Sequence, residues 1–236
     1  MYLEFNDTKS VVPTLKSELL LNGSTFGTAR RNAVEAKGTC RELIGVSFRI
    51  YDWSDRDEML KLNHLNKVFL DLDVQDRLDM TTVAGNNPGK AVAMDTSGVL
   101  KPYLNEAGKL RYTYSERMYY QIQPIIDLLK EHPDTRQAYL SIWDPEQEKD
   151  VFERDRVPCS LGYHFLVRDG KLVMLYYMRS LEVTTCMGND IYTASKVLEF
   201  FADQIGVEPG YIEFMVSSLH LFEEVPEDVK DERQTN

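Results

Sequence analysis

No apolar run in the 236-residue chain approaches the roughly 18 residues of a membrane-spanning helix, so no transmembrane span is expected. Basic runs are missing too. Lysine and arginine number 27 against 38 acidic residues, a net charge of −11, and the Lys/Arg-rich stripe of a nucleic-acid binder is not found. An anionic ligand would need a local arginine pocket inside a repelling surface field. Cysteine is scarce: Cys40, Cys159 and Cys186 are odd in number and widely spaced, which argues against a disulfide framework. No CxxC or HxxxH spacing points to zinc, so no metal is expected. The N-terminus, Met-Tyr-Leu-Glu-Phe-Asn-Asp, has neither a basic region nor an apolar core. It is no secretory signal, and a cytoplasmic protein is predicted. Internal repeats and low-complexity segments are absent. The Gly85…Gly89-Lys90 pattern has the wrong spacing for a phosphate loop and lacks the following Ser/Thr.

What remains is a globular composition, 43% hydrophobic and 11% aromatic, on a chain long enough to bury a sizeable core. Residues 1–222 read as a single domain and the acidic stretch 223–236, without apolar pattern, as a frayed tail. Leu15, Leu19 and Leu20 predict a helix over 12–22 that ends at Asn22-Gly23. The polar residues 24–32 read as a loop. There Arg30 and Arg31 are candidate phosphate holders, or simply a solvated face. Val46, Phe48 and Ile50 alternate with polar residues as in a half-buried strand. The apolar pattern of 57–72 predicts one helix, and 82–98 an exposed turn-rich excursion.

Further on, Ser115 is expected to cap a helix over 116–131 with Met118, Ile122, Ile125 and Leu129 buried, bent or displaced by Pro124. A strand follows at Tyr139–Trp143. Tyr163–Val167 and Lys171–Tyr177 form a hairpin through Asp169-Gly170. A helix over 191–205 and a strand over 211–216 complete the pattern. Strands and helices are mixed without regular alternation, so the fold class is α+β.

The chemistry is concentrated between Cys159 and His220. One thiol, one guanidinium beside a hydroxyl (Arg179-Ser180), one carboxylate (Asp190) and one imidazole (His220) are strung along this stretch. A nucleophile, an anion holder and groups able to read a ring and a sugar are what a thiol needs to attack an electron-poor ring. Read alone, each cysteine is either a nucleophile or a small buried hydrophobe.

The pattern resembles the thymidylate synthase superfamily, which includes the deoxycytidylate and cytidylate hydroxymethylases. Pro133-Asp-Thr-Arg136-Gln-Ala-Tyr-Leu-Ser-Ile-Trp143 resembles that family's PDSRR-plus-strand segment, and Pro158-Cys159 its nucleophile motif. Arg179-Ser180, Asp190 and His220 stand twenty, thirty-one and sixty-one positions after the cysteine, at the family's phosphate, base-reading and sugar positions. Tyr112-Thr-Tyr114-Ser-Glu-Arg117 is similar to its YG-containing segment. The likeness covers most of 12–222 and is strongest from 110 onward.

The resemblance implies a thymidylate synthase-like mixed sheet flanked by helices, with the sheet at a homodimer interface. It implies a pyrimidine nucleoside monophosphate as substrate and methylenetetrahydrofolate as one-carbon donor. Cys159 would be the nucleophile, with Tyr114 and Glu182 as further catalytic residues and Glu182 also facing folate. Arg136, from the other subunit, Arg179 and Ser180 would bind phosphate, beside the loop candidates Arg30 and Arg31. His220 would hold the sugar. Asp190 is the informative departure, since thymidylate synthases proper carry asparagine there. An ionised carboxylate only accepts, which suits the cytosine amino group and not the uracil carbonyl. Asp190 as a mere cap for the helix at 191 stays open.

Gln137, Phe222, Ser160 and Cys186 replace an arginine, a tyrosine, a histidine and a glycine of the family pattern. The family's catalytic glutamate is not found in its usual helix, with Asp71 or Asp73 as substitutes. The chain stops without the segment that closes over folate. The resulting expectation is a deoxycytidylate or cytidylate hydroxymethylase; the alternatives are a thymidylate synthase acting on dUMP and a nucleotide-binding relative without catalysis.

Overall fold

The computed structural model describes residues 1–29, 37–81, 104–110, 112–149 and 157–222. The expectations for Arg30, Arg31, the 82–98 excursion and the 223–236 tail lie outside them. In chain order the elements are β1 (Tyr2–Phe5), α1 (Val11–Asn22), β2 (Ser24–Ala29), β3 (Lys37–Ile50), α2 (Arg56–Leu62) and α3 (Lys67–Arg77). Then come α4 (Tyr114–Glu131), β4 (Tyr139–Ser141), α5 (Pro145–Glu148), β5 (Ser160–Arg168), β6 (Lys171–Glu182), α6 (Met187–Ile205) and β7 (Glu208–Phe222). The strands form one mixed seven-stranded sheet in the order β1-β3-β7-β6-β5-β4, with β2 also paired to β3. β6 and β7 run parallel, joined by the crossover helix α6; β3–β7 and β5–β6 are antiparallel. This is the α+β arrangement the pattern predicts.

The inner face is built by strict alternation. Val46, Phe48 and Ile50 of β3 lie opposite Val216, Phe214 and Ile212 of β7, and all are buried. Met174, Tyr176 and Met178 of β6 continue the same face. Phe48 and Phe214 stack with centroids 4.6 Å apart, and Phe165 of β5 stacks on Phe201 of α6 at 4.3 Å. Each such ring contributes about 1.5–3 kcal/mol by leaving water. The opposite face is partly open and carries Arg49, which bonds Glu213 at 2.6 Å and lies 3.9 Å from the Tyr211 ring. At the sheet's edge, Gln121 of α4 satisfies Ser141 of β4 on both sides, donating to its carbonyl (2.7 Å) and accepting from its N–H (3.0 Å). A side chain thereby closes an edge strand that would otherwise expose its ladder.

Several local expectations are corrected. The 24–32 loop begins as a strand: Ser24–Ala29 pairs with Lys37–Glu42. A polar sequence can be a strand when a long neighbour supplies its ladder, and β3 is fourteen residues long. The single helix over 57–72 is two, because His64 takes a left-handed φ of 52° and Asn66 caps α3 by accepting from Phe69 N. Local capping chemistry outweighs the apolar period there. Thr113, not Ser115, caps α4, in a reciprocal capping box with Glu116. α4 continues through Pro124, whose position is exposed, so the carbonyl it leaves unpaired is on the wet side. In α1 the buried residues are Val11, Val12, Leu15 and Leu19, while Leu20 points outward. The final strand is longer than expected, and α6 starts at Met187, which puts Asp190 inside its first turn. The hairpin stands as read: Asp169 and Gly170 both have positive φ (52° and 74°), the geometry of a two-residue type I′ turn.

Candidate active site

The start of β5 and the ends of β6 and β7 meet at one end of the sheet, where α6 also begins. A register slip organises this corner. From Arg168↔Lys171 to Gly162↔Tyr177 the β5–β6 hairpin pairs regularly, and continuing that register would place Ser160 opposite Arg179. Instead Ser160 lies opposite Met178, with a bulge between Ser160 and Gly162. The extra residue turns Ser160 to the inner face and leaves Cys159 opposite Arg179, whose N–H donates to the Cys159 carbonyl at 2.9 Å. Gly162 permits the bulge to sit against β4: a Cβ there would come within 2.4 Å of the Leu140 carbonyl oxygen.

Arg179 is fixed by three acceptors of the preceding loop. Its Nε donates to the Pro158 carbonyl (2.7 Å), and its Nη2 to the Val157 carbonyl (3.1 Å) and to the Cys159 sulfur (3.6 Å). A guanidinium N–H aimed at sulfur favours the thiolate. Cys159 is exposed, whereas Cys40 is buried. Cys186 is open to water on one side, but the surrounding protein, and then the charge of Asp190, push its thiol up to about 12. Of the three thiols, Cys159 is the one suited to attack.

Ser180 and His220 come together on neighbouring strands, Ser180 Oγ lying 3.4 Å from His220 Nδ1. Asp190 stands over the inner face of β6. Its backbone N–H already donates to the Cys186 carbonyl, and its Oδ1 accepts from Tyr176 Oη at 3.3 Å. It is not a helix cap. The helix N-cap position is Cys186, which makes no side-chain capping bond. Burial raises the Asp190 carboxyl to about 6; Arg77 and Tyr176 oppose the rise and Asp73 adds to it.

The cluster around Asp190 contains groups that sequence reasoning passed over. Arg77, at the end of α3, is held by Asp73 at 2.7 Å and reaches Tyr163 Oη at 3.5 Å. Its guanidinium lies 4.4 Å from the Tyr114 ring. Burial works against its charge, but Asp73 and the surrounding tyrosines hold it protonated, well above the ordinary range. Tyr163 packs on Tyr176 at 4.6 Å, and Tyr176 also bonds Ser160. A signal existed: among the inward positions 172, 174, 176 and 178 of β6, Tyr176 alone carries a hydroxyl.

The remaining candidates fall into place or away from it. Tyr114, at the first turn of α4, joins the Arg77 cluster. Asp71 is engaged with Lys67 (2.8 Å) and Tyr192 (2.5 Å) instead. Glu182 is buried, and its carboxylate accepts from the N–H and hydroxyl groups of both Thr184 and Thr185 at 2.5–3.0 Å. It is committed to the turn that launches α6, which accounts for its burial without a ligand. Arg136 is exposed and is not brought to Cys159. Its carbonyl accepts from His164, five residues along β5 from the cysteine, roughly 16 Å at strand rise.

A mixed sheet with a bulged cysteine strand, an arginine–serine pair and a carboxylate on the crossover helix defines a distinct class of protein, and comparison with known proteins identifies it. The sequence model of the family described as "Thymidylate synthase" matches residues 53–235. The chain belongs to the thymidylate synthase family. It is 33% identical over 123 residues to a Methanosarcina acetivorans protein named "Putative thymidylate synthase", covering 50% of this chain and 55% of that one. It is 31% identical over 115 residues to the thymidylate synthase of Corynebacterium aurimucosum, covering 48% and 41%. The matched stretch thus spans about half the length of these relatives. The structure is similar in fold to thermostable thymidylate synthase A from Bacillus subtilis, with a TM-score of 0.68 and 13% identity over 98% of this chain and 85% of that one.

Proposed function

We propose that this protein is a folate-dependent pyrimidine nucleotide C5 one-carbon transferase that acts on a cytidine monophosphate and yields the 5-hydroxymethyl product. The observation that carries the substrate choice is Asp190. Its carboxylate, thirty-one positions after Cys159 where the resemblance expects the base-reading group, lies on the same corner as the cysteine, and its first oxygen is engaged by Tyr176.

In this reading the Cys159 thiolate adds to C6 of the ring. The S–C6 bond forms, the C5=C6 pair is relayed through C4 to N3, and a proton passes from the Asp190 carboxyl to N3, leaving a carboxylate. Carbon 5 of the resulting enamine attacks the methylene of methylenetetrahydrofolate. Loss of the C5 proton and elimination of tetrahydrofolate leave an exocyclic methylene, which water converts to hydroxymethyl as the cysteine leaves. A carboxyl that titrates near 6 can carry the N3 proton at neutral pH and give it up as charge builds in the ring.

Arg179 holds the phosphate by charge-assisted bonds next to the nucleophile, and Ser180 with His220 faces phosphate and sugar. The distance of Arg136 from Cys159 within one chain supports a homodimer in which each subunit lends Arg136 to the other's site, through the partly open sheet face.

A second reading, methylation of dUMP, rests on the relatives named as thymidylate synthases. Mass analysis of products from dCMP, CMP and dUMP with methylenetetrahydrofolate separates the two. A mass gain of one hydroxymethyl on a cytidylate supports the first reading; thymidylate from dUMP with inert cytidylates replaces it by the second. Nucleotide binding with no release of C5 hydrogen from any of the three would remove catalysis altogether.

A further inference from the structure

Tyr176 and Ser160 form a hydroxyl pair inside an otherwise apolar hairpin face. Both are fully buried, and they are hydrogen-bonded to each other. The bulge after Ser160 is what turns the serine inward onto the tyrosine. Tyr176 Oη also lies 3.3 Å from Asp190 Oδ1.

The donors can be counted. A tyrosine hydroxyl has one hydrogen and an ionised carboxylate has none to give. With Asp190 ionised, Tyr176 donates to Oδ1 and Ser160 donates to Tyr176. The chain of hydrogens then runs one way, from the residue beside the cysteine to the carboxylate. With Oδ1 taken by a donor, a proton arriving on Asp190 goes to Oδ2, which makes no hydrogen bond among the described residues.

We infer that Tyr176, held by Ser160, is a positioning residue that fixes the Asp190 proton on Oδ2 and thereby sets both the pH at which Asp190 ionises and the base it accepts. The inference rests on the reading of Asp190 as the base-reading group. Every element around the carboxyl bears on that pH. Tyr176, Tyr163 and Ser160 come from the hairpin, Glu182 from the end of β6, Arg77 and Asp73 from α3, Tyr114 from α4, and Cys186 from the N-cap of its own helix. Burial and Asp73 push the carboxyl up to about 6; Arg77 and Tyr176 restrain it. The acid with its proton fixed on Oδ2 presents one donor and one acceptor in a set order, which matches the unprotonated N3 and the amino group of cytosine and mismatches the N3–H and carbonyl of uracil. The ionised carboxylate only accepts and meets one matched and one repelling group on either base. Base preference should therefore be strict below about pH 6 and relax above it.

The test uses the full chain and two readouts. The first is the titration of the Asp190 carboxyl carbon by 13C NMR, assigned with Asp190→Asn, without ligand. Tyr176→Phe removes the donor to the charged form, so its midpoint should rise by about one pH unit, a tenfold change in proton affinity. Ser160→Ala should raise it less. The second is the ratio of kcat/KM for dCMP and dUMP against pH, whose inflection should move with the NMR midpoint. A Tyr176→Phe midpoint that stays or falls overturns the role of the hydroxyl pair, even where Asp190→Asn still alters base preference. A midpoint that rises while the ratio stays flat leaves the hydroxyl pair in place and overturns base reading by Asp190. Should Tyr176→Phe not fold, the Ser160→Ala midpoint decides alone.

Discussion

Replacing Asp190 by asparagine makes a prediction that needs no substrate. The carboxyl titrates at about 6 in the folded protein against an ordinary 3.8, a rise caused first by burial. A raised value means that the folded state holds the proton more tightly than the unfolded chain does. The stability tied to that proton is fully present below about pH 4 and is lost as pH rises through 6. Two pH units correspond to an upper bound of about 3 kcal/mol. Asparagine keeps the shape and cannot ionise. Asp190→Asn should therefore equal wild type within about 1 kcal/mol near pH 4 and exceed it by about 2–3 kcal/mol at pH 7 and above. Urea denaturation of the ligand-free protein across that range measures the difference. A gap that does not grow with pH, or a variant less stable than wild type at pH 7, would refute the buried, charge-restrained picture of this carboxyl. The same variant should move the kcat/KM ratio from cytidylate toward uridylate by about ten- to a hundredfold, because a donor then faces the C4 edge and the mispaired base leaves a buried polar group unsatisfied. An unchanged ratio would count against base reading.

Cys159→Ser should abolish release of C5 hydrogen while nucleotide affinity stays near wild type, and Cys40→Ser should leave turnover alone; wild-type exchange in Cys159→Ser would rule out this nucleophile. Arg179→Ala should cost a nucleotide on the order of 2–5 kcal/mol of affinity in calorimetry and the free nucleoside far less, equal losses contradicting a phosphate contact. If Arg136 acts across a dimer, mixing inactive Arg136→Ala with inactive Cys159→Ser subunits should restore part of the activity, and no recovery argues that it does not. Glu182→Gln should lower stability by about 1–3 kcal/mol in urea denaturation, since it disturbs the four donors that the carboxylate satisfies; a change confined to folate affinity would restore Glu182 to a ligand role.

The sequence made the middle and end of the fold legible because those elements announce themselves locally. Asp169-Gly170 demands a type I′ hairpin, and the stripe of Ala194, Val197, Leu198 and Phe201 can only be one buried helix face. The errors came where a partner distant in sequence decides. Ser24–Ala29 is a strand because β3 lies beside it, which no property of those six residues states. Glu182 illustrates the same limit at the site. Its charge matched the position of a ligand-binding acid, yet two threonines immediately downstream claim the carboxylate, and such local Glu-to-Thr bonding competes with any reading based on charge alone.

The reach of spacing arguments also has a physical boundary at the cysteine. Counting from Cys159 located Arg179, Ser180, Asp190 and His220, because hairpin, crossover and helix lengths between them are fixed by regular structure. Counting could not reveal which face each residue presents, since one bulged residue reverses the parity of everything beyond it. In regular register Ser160 would lie opposite Arg179, and Tyr176 would keep its contacts with Tyr163 and Asp190. The slip at Ser160–Gly162 adds Ser160 to Tyr176, while it leaves Cys159 beside the Arg179 guanidinium. The two settings suit different chemistry: a thiolate needs a nearby positive charge, a carboxyl that keeps its proton toward neutrality needs burial, and the adjacent residues Cys159 and Ser160 reach one each.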